Sequence, residues 1–429
     1  MTGTVGALHC AAGSAGAFSY PIDRGQSMHR ILRVLALGAV VAGLTAAPAH
    51  ADSERVIVKF QPGAASATQS AALGSASVLG FVRALQAKVV APAGDPAALV
   101  ARLNASPAVQ YAEIDKTLHA TAIPNDPRFT DLYGMNNTGQ AAGTPDADIN
   151  APEGWDAAGL GAFPTTGGPK IGIVDTGIRA THEDLAGQVA DCARSQGTLF
   201  GPGKIQEGSC ADDNGHGTHV AGTIAGHANN GKGVAGVAFN SPLTICKALS
   251  GPRGNGSTSD VANCITWAAD KGVKVLSMSL GGGTSTTLQN AVKYAAGKDV
   301  LIVAAAGNDG NATLNYPAAY PEVVSVAATD RNDQHASFSN ANDDVEIAAP
   351  GVDVVSSYNS SDTSYTTLSG TSMATPHVAG VAAVIRGKNP TFTAEQARSK
   401  LDASVDDKGA AGRDPQYGFG RVNLQKAAT

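Results

Sequence analysis

The sequence predicts an α/β fold, a mostly parallel central sheet with helices on both faces, preceded by a small, separate α+β domain. Three observations carry this. From Lys170 onward, short apolar runs ending at Asp175, Leu249, Leu280, Ala306 and Ala328 alternate with longer helical segments near 217–226, 258–271, 286–298, 372–388 and 393–402. Such alternation builds parallel sheets covered on both sides. The runs are continuously apolar, as strands buried on two faces must be. Glycine is abundant, 51 of 429 residues, against a usual value of about 7%, so tight turns and close helix–strand approaches are expected.

The elements follow in order. Met28-His29-Arg30-Ile31-Leu32-Arg33 gives a basic start, Val34 to Leu44 an apolar core, and Ala49-His50-Ala51 a small-residue cleavage site. This is the pattern of a secretory signal peptide, too short in its apolar part to span a bilayer. Translation is expected to begin at Met28, with residues 1–27 as an upstream segment and cleavage after Ala51. Arg55-Val56-Ile57-Val58-Lys59-Phe60 alternates like a strand, Gly94 to Ala105 reads as a helix, and Val109 to Asp115 as a closing strand. A domain of about 70 residues has little core and is marginal by itself. In the larger part, Thr393-Ala394-Glu395-Gln396 is a capping box opening the last helix.

Composition excludes several classes. The net charge is −6 with no basic cluster, unlike a nucleic-acid footprint. No G-x-G-x-x-G runs from a strand into a helix, which disfavours a dinucleotide site. With Cys10 in the discarded segment, Cys192, Cys210, Cys246 and Cys264 remain, an even number suited to export. Three pairings are open on the residues alone. A four-cysteine zinc site is disfavoured because no C-x2-C pair occurs.

Chemistry is concentrated in three segments. Gly370-Thr371-Ser372-Met373-Ala374-Thr375-Pro376-His377 places a serine among small residues at the head of an apolar helix, where the helix dipole favours negative charge. Alone, such a serine is more often a cap than a nucleophile. Lys170-Ile171-Gly172-Ile173-Val174-Asp175-Thr176-Gly177 ends a strand on a carboxylate, at the sheet edge where ligands bind. Asn214-Gly215-His216-Gly217-Thr218-His219 sets a histidine in a glycine turn. A serine needs a base to take its proton, and the base needs an acid to fix its tautomer. The order Asp175, His216, Ser372 is one of the known triad orders.

With these segments in that order, the chain from about Ile123 to the C-terminus resembles the subtilisin-like serine proteases. The resemblance implies the three-layer subtilisin fold over 122–429, an inhibitor-type propeptide over 52–121 and endopeptidase activity through Asp175, His216 and Ser372. It makes Asn308, in Ala304-Ala305-Ala306-Gly307-Asn308, the side-chain donor to the oxyanion. It assigns the substrate groove to Ser279, Leu280, Gly281, Gly282, Ala305 and Gly307, with Asn315 at the pocket floor. An uncharged floor implies broad specificity with a lean to apolar or aromatic residues. The resemblance also implies a structural Ca²⁺ held by side chains of Asp126, Asp184 and Asn230 and carbonyls of Ala228, Lys232 and Val234, with Asn229 as an alternative to Asn230. A weaker cation site is considered near Ala318, Tyr320, Val323 and Glu346.

Of the pairings, Cys192–Cys210 and Cys246–Cys264 leave subtilase geometry undisturbed. His219 is expected to be buried and structural, with His377, Ser279 and Asp309 near the chemistry without a direct chemical role; Asp212 and Asp213 are expected on a solvated loop, the alternatives being to tune the pKa of His216 or to bind a cation. Partners are expected to be protein or peptide substrates and the chain's own propeptide, acting as chaperone and inhibitor. A monomeric, secreted protein without a membrane span is expected, with self-cleavage after Thr121. Two other functions compete: a binding protein on a dead protease scaffold, and an acyl transferase or peptide ligase using the same acyl-enzyme.

Overall fold

The computed structural model describes residues 55–115, 122–197, 201 and 203–429. The expected signal segment and the junction at Thr121 lie outside the described residues. The chain divides into two compact units, up to Thr117 and from Leu118.

In the first unit, β1 (Arg55–Phe60), α1 (Ser66–Leu73), β2 (Ser77–Val82), β3 (Ala87–Ala91), α2 (Pro96–Asn104) and β4 (Val109–Asp115) form an antiparallel sheet of order β2-β3-β1-β4 with two helices. Alternation in β1 puts Val56, Val58 and Phe60 into a core with Leu73, Val90, Leu99, Leu103 and Val109. Asp95 caps α2, accepting from the N–H groups of Ala97 and Ala98, and Pro96 opens it. The sequence pattern identified β1, α2 and β4 but not α1, β2 or β3. In β2 the reason is physical: Leu79 and Phe81 are exposed on an edge strand, so its apolar residues do not mark a buried face.

The second unit begins with α3 (Ala151–Ala157), β5 (Ile171–Asp175), β6 (Val189–Arg194), β7 (Gln206–Glu207), α4 (His216–Ala225), β8 (Leu243–Lys247), α5 (Thr258–Asp270), β9 (Val275–Met278), α6 (Thr286–Gly297), β10 (Leu301–Ala305), β11 (Val323–Thr329) and β12 (Val345–Pro350). It continues through the hairpin β13 (Val354–Ser357) and β14 (Tyr365–Leu368), then α7 (Thr371–Lys388), α8 (Ala394–Asp402), β15 (Val405–Asp406), β16 (Arg421–Val422) and α9 (Leu424–Ala428). The central sheet runs β15-β16-β12-β11-β10-β9-β5-β8-β6-β7, parallel except at its two ends.

Period-two burial decides the layers. Ile171 and Ile173 of β5 enter a core with α3, α4, α7, α8 and α9, while Val174 enters a second core with α5 and α6. The chain goes from β5 to β6 on one side, returns through β8, then crosses β5 to β9. The carboxyl end of β5 therefore lies where the strand order reverses, the place such sheets offer a ligand. Helix α7 is buried along nearly its whole length. A Cβ on its Gly380 would lie 2.5 Å from Val237, so the helix can approach that segment only with glycine there. Thr393 and Gln396 form the expected capping box of α8.

Candidate active site

Asp175 ends β5 with no exposure. Its Oδ1 accepts from His216 Nδ1 at 2.8 Å and from the N–H of Thr176 at 2.7 Å. A carboxylate only accepts, so Nδ1 carries the proton and Nε2 keeps its lone pair. His216 opens α4 from a turn that requires glycine: Gly215 has φ +109°, and a Cβ there would lie 2.3 Å from the Tyr358 ring. Burial lowers the pKa of His216, but the charge and hydrogen bond of Asp175, with the charge of Asp212, outweigh it and the net shift is upward. Protonated imidazole cannot accept a proton, so activity should rise with pH and its acid limb should lie above 6.5, the ordinary imidazole value. A kcat/KM profile flat from pH 5 to 8 would remove His216 as the base.

Asp212 is half-buried and held by hydrogen bonds rather than free on a solvated loop. It accepts from Asn214, Gly215, Thr176 and Thr218, because the turn folds its donors inward onto it. Asp213 pairs with Lys247 at 2.7 Å. His219 is buried as expected, with Nε2 at 3.0 Å from the Val354 carbonyl, and burial pushes it down to about 3. His377, also buried and lowered to about 4, meets the Met373 carbonyl at 2.9 Å.

Ser372 is the second residue of α7. Pro376, four residues on, has no N–H for the Ser372 carbonyl. The hydroxyl of Ser279 donates to that carbonyl instead, at 2.8 Å, and Ser372 Oγ donates to the Ser279 carbonyl at 3.2 Å. This reciprocal pair fastens the serine to the segment after β9. Ser279 lines the same cleft as His216. Asn308 follows β10, and its Oδ1 accepts the N–H and hydroxyl of Thr371 at 2.8 and 2.9 Å. Its oxygen being so held, Nδ2 is the free end, donating to no acceptor among the described residues. A Cβ on Gly370 would stand 3.7 Å from it. Acid, oriented imidazole, helix-head serine and a fixed amide donor are the parts that acyl transfer needs.

Residues 166–420 match the model of the subtilase family. The chain belongs to the subtilase family of serine endopeptidases. Residues 49–115 match the fervidolysin N-terminal prodomain, so this subtilase carries a prodomain. It is 41% identical to thermitase of Thermoactinomyces vulgaris over 307 residues, 71% of this chain and 98% of the relative. It is 44% identical to subtilisin Savinase of Lederbergia lenta over 264 residues, 61% of this chain and 91% of the relative. Among solved structures, a protease of Pseudoalteromonas arctica aligns with a TM-score of 0.61 at 34% identity, covering 71% of this chain and 98% of its own. These matches agree with the subtilisin-like fold expected from the sequence.

A cleft of about 570 Å³ adjoins His216, lined by Leu249, Val261, Leu280, Gly281, Gly282 and Tyr316 among others. Gly282 exchanges both backbone hydrogen bonds with Tyr316, at 2.9 and 3.0 Å. Asn315 donates to the Ala305 carbonyl at 2.8 Å, and its amide would lie 2.0 Å from a Cβ on Gly281. A Cβ on Gly307 would lie 3.2 Å from Asn315 Cβ. The expected groove residues thus converge, and among the described residues no carboxylate lines the cleft.

The three segments expected to hold Ca²⁺ also meet. Asp126 accepts from the N–H groups of Asn229 and Asn230, and Asp184 accepts from Asn230 Nδ2, the Val234 N–H and the Tyr365 hydroxyl. Both carboxylates are buried, and neither pairs with a basic side chain among the described residues. Burial, with a smaller contribution from Asp184, raises Asp126. The carbonyls of Ala228, Lys232 and Val234 receive no donor among the described hydrogen bonds. With two buried carboxylates and three carbonyls that accept from no donor among the described hydrogen bonds, the locus is oxygen-rich and anionic, as a hard cation requires; the Asn230 side-chain oxygen accepts the Lys232 N–H at 2.7 Å. Asn230 rather than Asn229 lies against Asp184; Asn229 Oδ1 takes the Asn125 N–H.

The weaker cation site is corrected. Arg398 donates to both oxygens of Glu346, at 2.6 and 2.5 Å, to the Pro321 carbonyl at 2.8 Å and to the Val323 carbonyl at 3.4 Å. A guanidinium already neutralises that corner.

Both expected disulfides form, Cys192–Cys210 and Cys246–Cys264, each with Cα atoms 5.5 Å apart. The first ties β6 to the segment leading to Asp212, and the second ties β8 to α5. Loops of this length correspond to about 3 kcal/mol each in the chain-entropy account. Among the described residues no helix is long and apolar enough to cross a membrane.

Proposed function

We propose that Ser372 is the nucleophile, His216 its base and Asp175 the acid that orients the base, with Asn308 donating to the oxyanion. The hydrogen bond of 2.8 Å from His216 Nδ1 to buried Asp175 carries this reading, since it leaves Nε2 as the acceptor. His216 takes the hydroxyl proton as Ser372 attacks the peptide carbonyl, then gives it to the leaving amine. Asn308 Nδ2 stabilises the negative oxygen. Water then hydrolyses the acyl-enzyme by the same proton path. Extended substrate adds to Ser279-Leu280-Gly281-Gly282, and the uncharged pocket of Ala305, Gly307 and Asn315 favours apolar or aromatic side chains. A serine-directed phosphonyl reagent should label Ser372 stoichiometrically and abolish peptidase activity. Full activity with the label elsewhere would refute the assignment.

Asp126, Asp184 and Asn230, with the carbonyls of Ala228, Lys232 and Val234, would hold a structural Ca²⁺, which supplies charge neutralisation to two buried carboxylates. A ligand at a hundredfold excess over its Kd stabilises by about 2.7 kcal/mol. Chelation should therefore lower the melting temperature and open the loop at 228–234 to proteolysis. Identical melting with chelator and with millimolar Ca²⁺ would remove the site.

In the same reading the protein is secreted through a signal peptide ending at Ala51. The prodomain of 52–121 serves in cis as folding chaperone and inhibitor, and self-cleavage after Thr121 leaves a monomeric enzyme of 122–429. The prodomain match over 49–115 supports reading the segment before the catalytic part as a prodomain.

A further inference from the structure

We propose that Asp212 is a positioning residue of the His216 turn, a single carboxylate that fixes the start of α4 against the end of β5. The inference rests on the triad reading above. Asp212 Oδ1 accepts from the N–H groups of Asn214 (3.0 Å) and Gly215 (2.9 Å) and from the Thr176 hydroxyl (2.9 Å). Its Oδ2 accepts the N–H (3.0 Å) and hydroxyl (2.6 Å) of Thr218. Thr176 is the neighbour of Asp175, which accepts its N–H, and Thr176 Oγ1 accepts from Gly217 at 2.9 Å. Acid and base are therefore joined twice, directly and through Thr176 and Asp212.

The first turn of α4 explains why an outside carboxylate is needed. Its cap, Gly215, has no side chain to satisfy the free N–H groups. Asn214 takes that of His216, Thr176 that of Gly217 and Asp212 that of Thr218.

Charge matters as well as shape. Burial pushes the Asp212 carboxyl up, yet hydrogen bonds from Gly215, Thr218, Asn214 and Thr176 outweigh it, and the group is held below the usual carboxylate range. It stays ionised beside the imidazole. The other charged or titratable groups around the turn are Asp175 on β5, His219 within α4, Asp213 with Lys247 of β8, Arg179 with Asp362 of the hairpin connection, Tyr358 of the same connection, whose hydroxyl donates to the Asn214 carbonyl, and Arg253 on the cleft rim. None of these cations bonds to Asp212 among the described residues, so its charge acts on His216 uncancelled by an ion pair.

The test uses the mature enzyme, with kcat expressed per site titrated by the phosphonyl reagent. Asp212→Asn should lower kcat roughly ten- to hundredfold, hold KM within about twofold, and move the acid limb of kcat/KM to lower pH. Thr218→Val, which removes one of the five bonds and the acceptor of the Arg179 N–H but no charge, should lower kcat with the limb unmoved, and Thr218→Ser should restore it. An Asp212→Asn limb at the wild-type pH overturns the proposal. If that variant does not fold, the Thr218 pair decides: valine at wild-type kcat overturns the proposal, and loss with serine rescue supports it. A wild-type enzyme not labelled at Ser372 would instead refute the triad reading, and this inference with it.

Discussion

Ser372→Ala should lower kcat by about a millionfold, because the acyl-enzyme cannot form without the hydroxyl. Residual hydrolysis would come from substrate positioning and oxyanion donors alone. The substitution removes only the Oγ bond to the Ser279 carbonyl. The bond that holds the α7 backbone in place, from Ser279 Oγ to the Ser372 carbonyl, stays. Melting should therefore change little, which separates loss of chemistry from loss of fold. If the chain matures itself, the same variant should accumulate with its prodomain attached. Mass measurement and N-terminal sequencing of wild type and variant, expressed in a host without other secreted proteases, give the answer. A variant trimmed to Ala122 would assign the cut to another enzyme.

Asn308→Ala should cost about 10²–10³ in kcat with KM little changed, the loss of roughly 2.7–4 kcal/mol from one oxyanion donor. Alanine also strips an acceptor from Thr371, whose N–H and hydroxyl both point at Asn308 Oδ1. Asn308→Asp separates the two effects. It keeps an oxygen for Thr371 but offers the oxyanion an acceptor in place of a donor. If Asn308 acts by donating, aspartate should be at least as damaging as alanine. Near-normal kcat for aspartate would reduce Asn308 to an anchor for the head of α7.

Much of this molecule was legible because parallel-sheet strands are short, apolar and bounded by chemistry-bearing turns. The strand ending at Asp175 and the helices opening at His216 and Ser372 occur within a residue or two of their expected places. Less could be read where a role depends on who folds onto whom. Asp212 reads as a loop carboxylate near His216 in Cys-Ala-Asp-Asp-Asn-Gly, and only the turn in three dimensions shows five donors aimed at it. The β13–β14 hairpin escaped because Ser-Ser-Tyr-Asn-Ser-Ser-Asp-Thr-Ser-Tyr carries no apolar period. Yet Tyr358 closes over Gly215 and Tyr365 bonds to Asp184. The expected weak cation site failed for a related reason: Arg398 lies 52 residues beyond Glu346, and nothing local links them.

That guanidinium has a consequence for how the molecule opens. A dissociable ion can leave its carbonyls while every helix stays docked, and dialysis alone can remove it. Arg398 is anchored in α8, so the carbonyls of Pro321 and Val323 lose their counter-charge only when the helix itself lifts away. Fraying of α8 and loosening of the turn before β11 thereby become one event. Amide exchange in the two segments should rise and fall together, whatever salts surround the protein.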